Sequence, residues 1–348
     1  MKDAPLVPDY VVRAARAEDQ AAFAELRTLA GPGFTSLMID DEALAARLKR
    51  SEQSFAARVS APSDERYMLA LEHAPTGAIV GTAALKATIG SDPPFFNFRQ
   101  LRIAQASHAA NRRFDMDVLI LVNEFTGCSE VGSLFLREEH RAGGIGRALA
   151  QSRYLLIAAD RARFNERVVS ELRGVVSPEG RSPFWDALGR HFFRMEFREA
   201  DRLSATTDNQ FILDLMPKYP IYVDLLPEAA RAVIGVTHPD GAGARRLLEW
   251  EGFRFDNVVD IFEGGPLVSV SRDAIRTVRE AKRLVACADE RAQGASVLAA
   301  NAQVAEFRAA RFAARVEAGA LHAHPGALEA LRVKDGEEVI VWSADGDG

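Results

Sequence analysis

The chain has 348 residues, 48% of them hydrophobic, with a formal net charge of −6. This suffices for about two domains with sizeable cores, excludes general disorder, and argues against nucleic acid as the main partner, since a phosphate backbone selects a basic face. Two distant cysteines, Cys128 and Cys287, give neither metal-ligand spacing nor a disulfide framework, and no run approaches the ~18 apolar residues of a membrane span, so a cytoplasmic chain without metal or membrane partner is expected.

Tyr10–Ala14 is predicted as a first strand. Glu18 and Asp19 open a helix to Leu29, with Ala22, Phe23, Leu26 and Leu29 on one face, and Asp40 or Asp41 begins a second toward Phe55. Tyr67–Leu71 and Ile79–Ala87 read as paired strands across a Pro-Thr-Gly turn, 91–98 (SDPPFFNF) as a proline-broken aromatic loop, and Val118–Val122 as a further strand. Val131–Leu136 is a strand that feeds the turn Arg141-Ala-Gly-Gly-Ile-Gly146, and a helix-like run follows from Arg147 to Ala159. Val168–Val176 reads as a strand, and Ser182-Pro183 as the cap and first residue of a short helix. Gly243–Phe253 is a helix stopped by Gly252, with a strand at Phe255–Phe262. Asp273–Ala288 is predicted as a basic amphipathic helix. Alternating runs at Ala295–Val304 and Arg311–Val316, then a short helix, a Lys-Asp-Gly turn and a strand ending at Trp342, point to a small β-barrel-like subdomain.

The turn at 141–146 matches R-x-x-G-x-G. Between a strand and a helix it leaves backbone N–H groups at a helix N-terminus, where the dipole adds partial positive charge suited to a pyrophosphate. Arg141, Gly143, Gly144 and Gly146 are the candidate phosphate contacts. No Gly-Lys-Ser/Thr follows, against a P-loop, and the third glycine of a dinucleotide fingerprint is missing. An ordinary structural turn stays open as the alternative. The arrangement resembles the acyl-coenzyme A site of the GNAT N-acyltransferases. That resemblance implies an α/β (α+β type) fold, a mixed sheet with helices on both faces. The segmentation expected is 8–200 for the acyl-CoA-binding domain, 201–285 for a second, partly GNAT-like lobe and 286–348 for the C-terminal β-rich subdomain.

Longer blocks narrow the resemblance. Thr126-Gly127, SLFL at Ser133–Leu136, RFNERVVSELRGV at Arg163–Val175, GRSPFWDALGRHFF at Gly180–Phe193, DLMPKYPIY at Asp214–Tyr222, IGVTHP at Ile234–Pro239, EGFRF at Glu251–Phe255, DIFEGGP at Asp260–Pro266 and GPGFTSL at 31–37 resemble the bacterial arginine N-succinyltransferases. The resemblance implies transfer of the succinyl group of succinyl-CoA to the α-amine of L-arginine, with succinyl-CoA as co-substrate and no permanently bound cofactor. It also implies a homo-oligomer or a hetero-oligomer with a related subunit. Leu134 matches the family's succinyl-CoA-binding leucine, expected to act through its backbone, and His238 its catalytic proton donor. Substrate carboxylates call for Arg or Lys and a guanidinium for Asp or Glu, which makes Arg173, Arg181, Glu171, Asp260 and Glu263 candidates. Phe125 departs from a histidine expected before Thr126-Gly127, and the glycine turn is nearer the general GNAT pattern. Another amine such as ornithine, another short acyl-CoA, or a non-catalytic acyl-CoA-binding subunit are the alternative readings. Cys128 is expected to be a packing thiol, and the remaining histidines packing or surface residues.

Overall fold

The first strand forms over Tyr10–Ala14, as expected, and is flanked on both sides: it pairs antiparallel with Arg66–His73 and with Arg308–Glu317. The computed structural model describes residues 4–30, 39–207 and 209–343, so the GPGFTSL block at 31–37 lies outside the described residues. Two compact units make up the chain: Met1–Thr88 with Ser129–Glu166 and Ser271–Gly348, and Ile89–Cys128 with Arg167–Val270. Each is assembled from separated stretches, whereas the segmentation expected from sequence was three consecutive ones.

In the first unit the sheet continues from Arg66–His73 to Ala78–Lys86 and Ser129–Leu136, all antiparallel. Successive strand residues face opposite sides. Met68 and Ala70 pack with Phe23, Leu26, Leu44 and Leu48 of the helices Gln20–Ala30 and Asp41–Ala56. Asp40 caps the second of these, accepting the Ala43 N–H at 2.8 Å. The helix Ile145–Ala159 comes against Gly81, where an added Cβ would lie 3.2 Å from Leu149 Cδ2.

The C-terminal part closes into a five-stranded barrel. Ala295–Asn301 pairs with Arg308–Glu317 and Glu338–Ser343, and Lys282–Ala288 pairs with Glu338–Ser343 and, in parallel, with Ala320–Ala323. Arg308–Glu317 also pairs with Ala320–Ala323, which completes the ring. Closure leaves no bare edge. The helix expected at Asp273–Ala288 is thereby corrected: only Arg276–Glu280 is α-helical, and Lys282–Ala288 is a barrel strand. Leu284 and Ala286 are buried in the barrel core two residues apart, a period-two pattern that a stretch rich in Lys and Arg disguises.

In the second unit the strands run in the order Arg167–Glu171, Pro266–Ser271, Arg254–Asp260, Asn97–Ser107, Arg112–Val122 and Ile221–Tyr222. Most of the hairpin Asn97–Ser107/Arg112–Val122 escapes sequence reading. Its root is buried through Asn97, Phe98, Val118 and Leu119; its outer half is largely exposed, although Phe114, Met116 and Val118 alternate there with Asp115 and Asp117. The strand expected at Val168–Val176 ends at Glu171. Beyond it Gly174 passes so close to its neighbours that a Cβ would lie 2.7 Å from Glu263 Cβ and 2.8 Å from the Gly265 nitrogen. Ser182 caps the helix Pro183–Ala187 by accepting the Trp185 N–H at 3.2 Å, as its Ser-Pro pair predicts. Phe184, Trp185, Phe193, Ile212 and Met216 form a core with Phe98, Leu119 and Val259 of the sheet. No helix among the described residues is long and apolar enough to cross a membrane.

Candidate active site

The strand Ser129–Leu136 is interrupted where Leu134 lies. Thr82 pairs with Phe135 and Ala84 with Gly132, so Ser133 and Leu134 together oppose the single residue Ala83. Ser133 takes φ +49°, a left-handed conformation that makes this a β-bulge and turns the backbone at Leu134 out of the regular ladder. Leu134 itself is half-buried. Among the described residues the buried Thr82 hydroxyl beside it has no hydrogen-bond partner.

A short 3-10 turn, Glu138–His140, leads from the strand into the glycine turn. Arg141 donates from Nε to the Leu136 carbonyl at 3.0 Å, and its guanidinium carbon lies 6.0 Å from the Phe135 ring centre. Gly143 and Gly144 take φ +61° and +82°, which a side chain would strain. Gly144 is the N-cap of the helix Ile145–Ala159, and no side chain among the described residues caps that helix end. Gly146 needs no glycine for the fold: its φ is not positive, and an added Cβ would make only ordinary contact, 3.6 Å, with Leu136 Cδ2. Arg311, from the barrel strand, donates from Nη2 to the Gly143 carbonyl at 2.6 Å. A cavity of about 170 Å³ opens beside the turn, walled by Tyr10 and Leu71, by Gly143 and Ile145, and by Ala310 and Arg311. The Tyr10 hydroxyl lies 2.9 Å from His140 Nδ1, with the His73 ring packed on both, so these histidines join an aromatic cluster.

In the second unit His238 and Arg173 are brought together. The His238 N–H donates to the Arg173 carbonyl at 2.8 Å, and Gly235 N–H donates to the Gly264 carbonyl at 2.7 Å, which fixes the loop that carries the histidine. The His238 side chain is 16% exposed. Asp240 meets its Nδ1 twice: the backbone N–H donates to it at 3.2 Å, and the carboxylate lies 3.5 Å away. The first contact suits a bare Nδ1 and the second an Nδ1–H, so either protonation state finds a partner and Nε2 is left for chemistry.

Behind Arg173 lie three carboxyl groups. Glu263, 8% exposed, accepts the Gly174 N–H at 2.7 Å, and burial together with neighbouring Asp260 pushes it up to about 8. Asp260 accepts the Phe262 N–H at 2.8 Å and is likewise raised by burial. Burial also raises Asp201, against the pull of Arg173. Among the described residues, Arg173 Nε is buried without a hydrogen-bond partner. So is the amide of Asn97, which stands opposite Asp260 in the sheet. Asp201 and Asn97 were missed because nothing in their local sequence marks them; only the fold brings them beside Asp260.

Arg181 is exposed and paired with Asp186 at 2.8 Å, and Glu171 is exposed. Cys128 is buried among Ile89, Val169 and Leu267, and burial raises its thiol, in keeping with a packing role. Phe125, which departs from the expected histidine, is buried in the same cluster, with the Arg167 guanidinium 4.7 Å from its ring centre.

Sheet, bulge, glycine turn and following helix define a GNAT-like mixed α/β fold of the acyltransferase class. Residues 10–277 match the family model described as arginine N-succinyltransferase beta subunit, and the chain belongs to that family. It is 41% identical over 301 residues to an arginine N-succinyltransferase of Enterobacter sp. (strain 638), covering 86% of this chain and 87% of the relative. It is 39% identical over 340 residues to that of Yersinia pestis, covering 95% and 97%. Among solved structures it is similar to arginine/ornithine succinyltransferase subunit AI from Pseudomonas aeruginosa, with a TM-score of 0.87 and 32% identity over 97% of this chain and 99% of that one.

Proposed function

We propose that this protein transfers the succinyl group of succinyl-CoA to the α-amine of L-arginine, giving N2-succinyl-L-arginine and coenzyme A. One observation carries the reading: the family match spans 10–277 and so takes in both the glycine turn and His238. The coenzyme's pyrophosphate lies on the N–H groups at Gly143–Gly146, with Arg141 beside it, and the bulge at Leu134 offers backbone groups to the acyl-pantetheine arm. The absence of any fold requirement for glycine at 146 supports close approach of a ligand there. We assign the reaction to the cytoplasm, and infer an oligomer, since the Pseudomonas relative is named a subunit.

The chemistry is direct transfer. The deprotonated amine attacks the thioester carbonyl, a C–N bond forms, and the C–S bond breaks. His238 donates the Nε2 proton of its imidazolium to the departing thiolate. The neutral ring keeps its Nδ1–H against the Asp240 carboxylate and recovers a proton from the substrate ammonium. Of the two protons the ammonium loses, one thus reaches the thiol and the other goes to solvent. Arg173 supplies a cation for a substrate carboxylate, and Asp260 and Glu263 supply acceptors for a guanidinium.

The test is mass spectrometry of the product from succinyl-CoA and L-arginine. Succinylarginine modified at the α-nitrogen is expected; coenzyme A binding with no acylated amine would instead identify an acyl-CoA-binding subunit. Ornithine is the second reading for the acceptor, because the name of the Pseudomonas relative includes it.

A further inference from the structure

The barrel closes in the last quarter of the chain, beyond residue 277 where the family model stops, and nothing above requires it for transfer. Its strand Arg308–Glu317 nevertheless sends one side chain to the glycine turn. Ala310 and Phe312 face the barrel core, so Arg311 between them points outward. Its Nη2 donates to the Gly143 carbonyl, and its Nη1 would lie 3.3 Å from a Cβ at Gly144. The guanidinium therefore rests against the two residues whose left-handed backbone forms the turn.

Two positive features meet here with no neutralising anion among the described residues. The helix Ile145–Ala159 presents its positive dipole end at Gly144, and Arg311 adds a full charge that no carboxylate pairs with among the described residues. Of the residues that line the adjoining cavity, Asp9 is the acidic one, and it is exposed. An arginine serving only to fasten the barrel would need one N–H for the Gly143 carbonyl. The guanidinium has five, in a planar fork matched to phosphate oxygens.

We propose that Arg311 is a coenzyme-binding residue, donating to a phosphate of the nucleotide end of the acyl donor while its Nη2 holds the Gly143 carbonyl. The barrel is then one wall of the donor site. This rests on the reading that the turn takes coenzyme A. It extends that reading to a residue with no motif around it.

The experiment is calorimetric binding of coenzyme A and of 3′-dephospho-coenzyme A to the full-length protein and to R311A and R311Q, alongside turnover with succinyl-CoA and with succinyl-pantetheine. R311Q keeps an amide donor for Gly143 and removes the charge, so it carries the test if R311A fails to fold. Both variants should bind coenzyme A at least about tenfold more weakly, the scale of a lost charge-assisted contact. The donor KM should rise with kcat kept within about twofold, and the nucleotide-free donor should be used as by wild type. If the defect persists for coenzyme A but shrinks for the dephospho form, the contact is to the 3′-phosphate; if it is equal for both, the pyrophosphate is the partner. Wild-type affinity in R311Q, or an equal defect with succinyl-pantetheine, would overturn the proposal and leave Arg311 a fastener, with the transferase reading intact. Failure of wild type to bind coenzyme A would overturn both.

Discussion

The two units hold their candidate groups in different ways. In the first, the groups are backbone: the bulge at Ser133–Leu134 and the left-handed pair Gly143–Gly144 at a helix N-terminus. In the second they are titratable side chains packed from distant stretches: His238 over Arg173, with Asp201, Asp260 and Glu263 behind. A backbone site tolerates side-chain change and fails when φ is disturbed. A side-chain site fails when one group is lost and responds to pH. On the proposed roles, loss of coenzyme binding and loss of chemistry should separate cleanly in mutants.

Replacing His238 by Ala gives the largest expected effect. The kcat should fall by roughly 10²–10⁴, the range for loss of a positioned acid or base, while calorimetry should return an unchanged affinity for coenzyme A. A matching loss of affinity would break the separation. Gly144→Val comes next. It strains a φ of +82° and presses on Arg311, so donor KM should rise about tenfold with a much smaller change in kcat. An unaltered KM would show that the turn does not hold the donor.

The third effect is on stability. Burial and Asp260 raise Glu263 from 4.5 to about 8, so its protonated form is the one the fold favours. That contribution is full below about 4.5 and is lost as pH rises toward about 8. Glu263→Gln mimics the protonated form, and the drop in melting temperature between pH 5.5 and 8.5 should shrink in calorimetric scans. A drop as large as in wild type would mean that Glu263 is charged in the fold. Leu134→Ala should matter least. On the proposed backbone contact, and with the side chain half-buried, donor KM should change by less than about threefold, a small fraction of a full leucine burial. A tenfold change would shift the role to the side chain.

The same difference sets what was legible. Glycine spacing, the Ser182-Pro183 cap and the period-two runs of the barrel are local signals, and each produced the element it announced. The Lys282–Ala288 strand was misread because its inward residues are only Leu284 and Ala286, set among basic and small neighbours. The outer half of the long hairpin does alternate at Phe114, Met116 and Val118, but the pattern is short and preceded by arginines, and the strand expected there began only at Val118. Long-range groups stayed hidden for another reason. Asn97 meets Asp260 only through strand pairing, and Arg311 reaches Gly143 across 168 residues of sequence. His238 was found by resemblance, since a lone histidine carries no spacing of its own.

The most direct test is thiol release at saturating succinyl-CoA with L-arginine, L-ornithine and Nα-acetyl-L-arginine as acceptors. Transfer to the arginine α-amine requires arginine to be the best acceptor by kcat/KM and the blocked compound to be inert. Equal turnover of the blocked compound, or none with any amine despite coenzyme A binding, would contradict it.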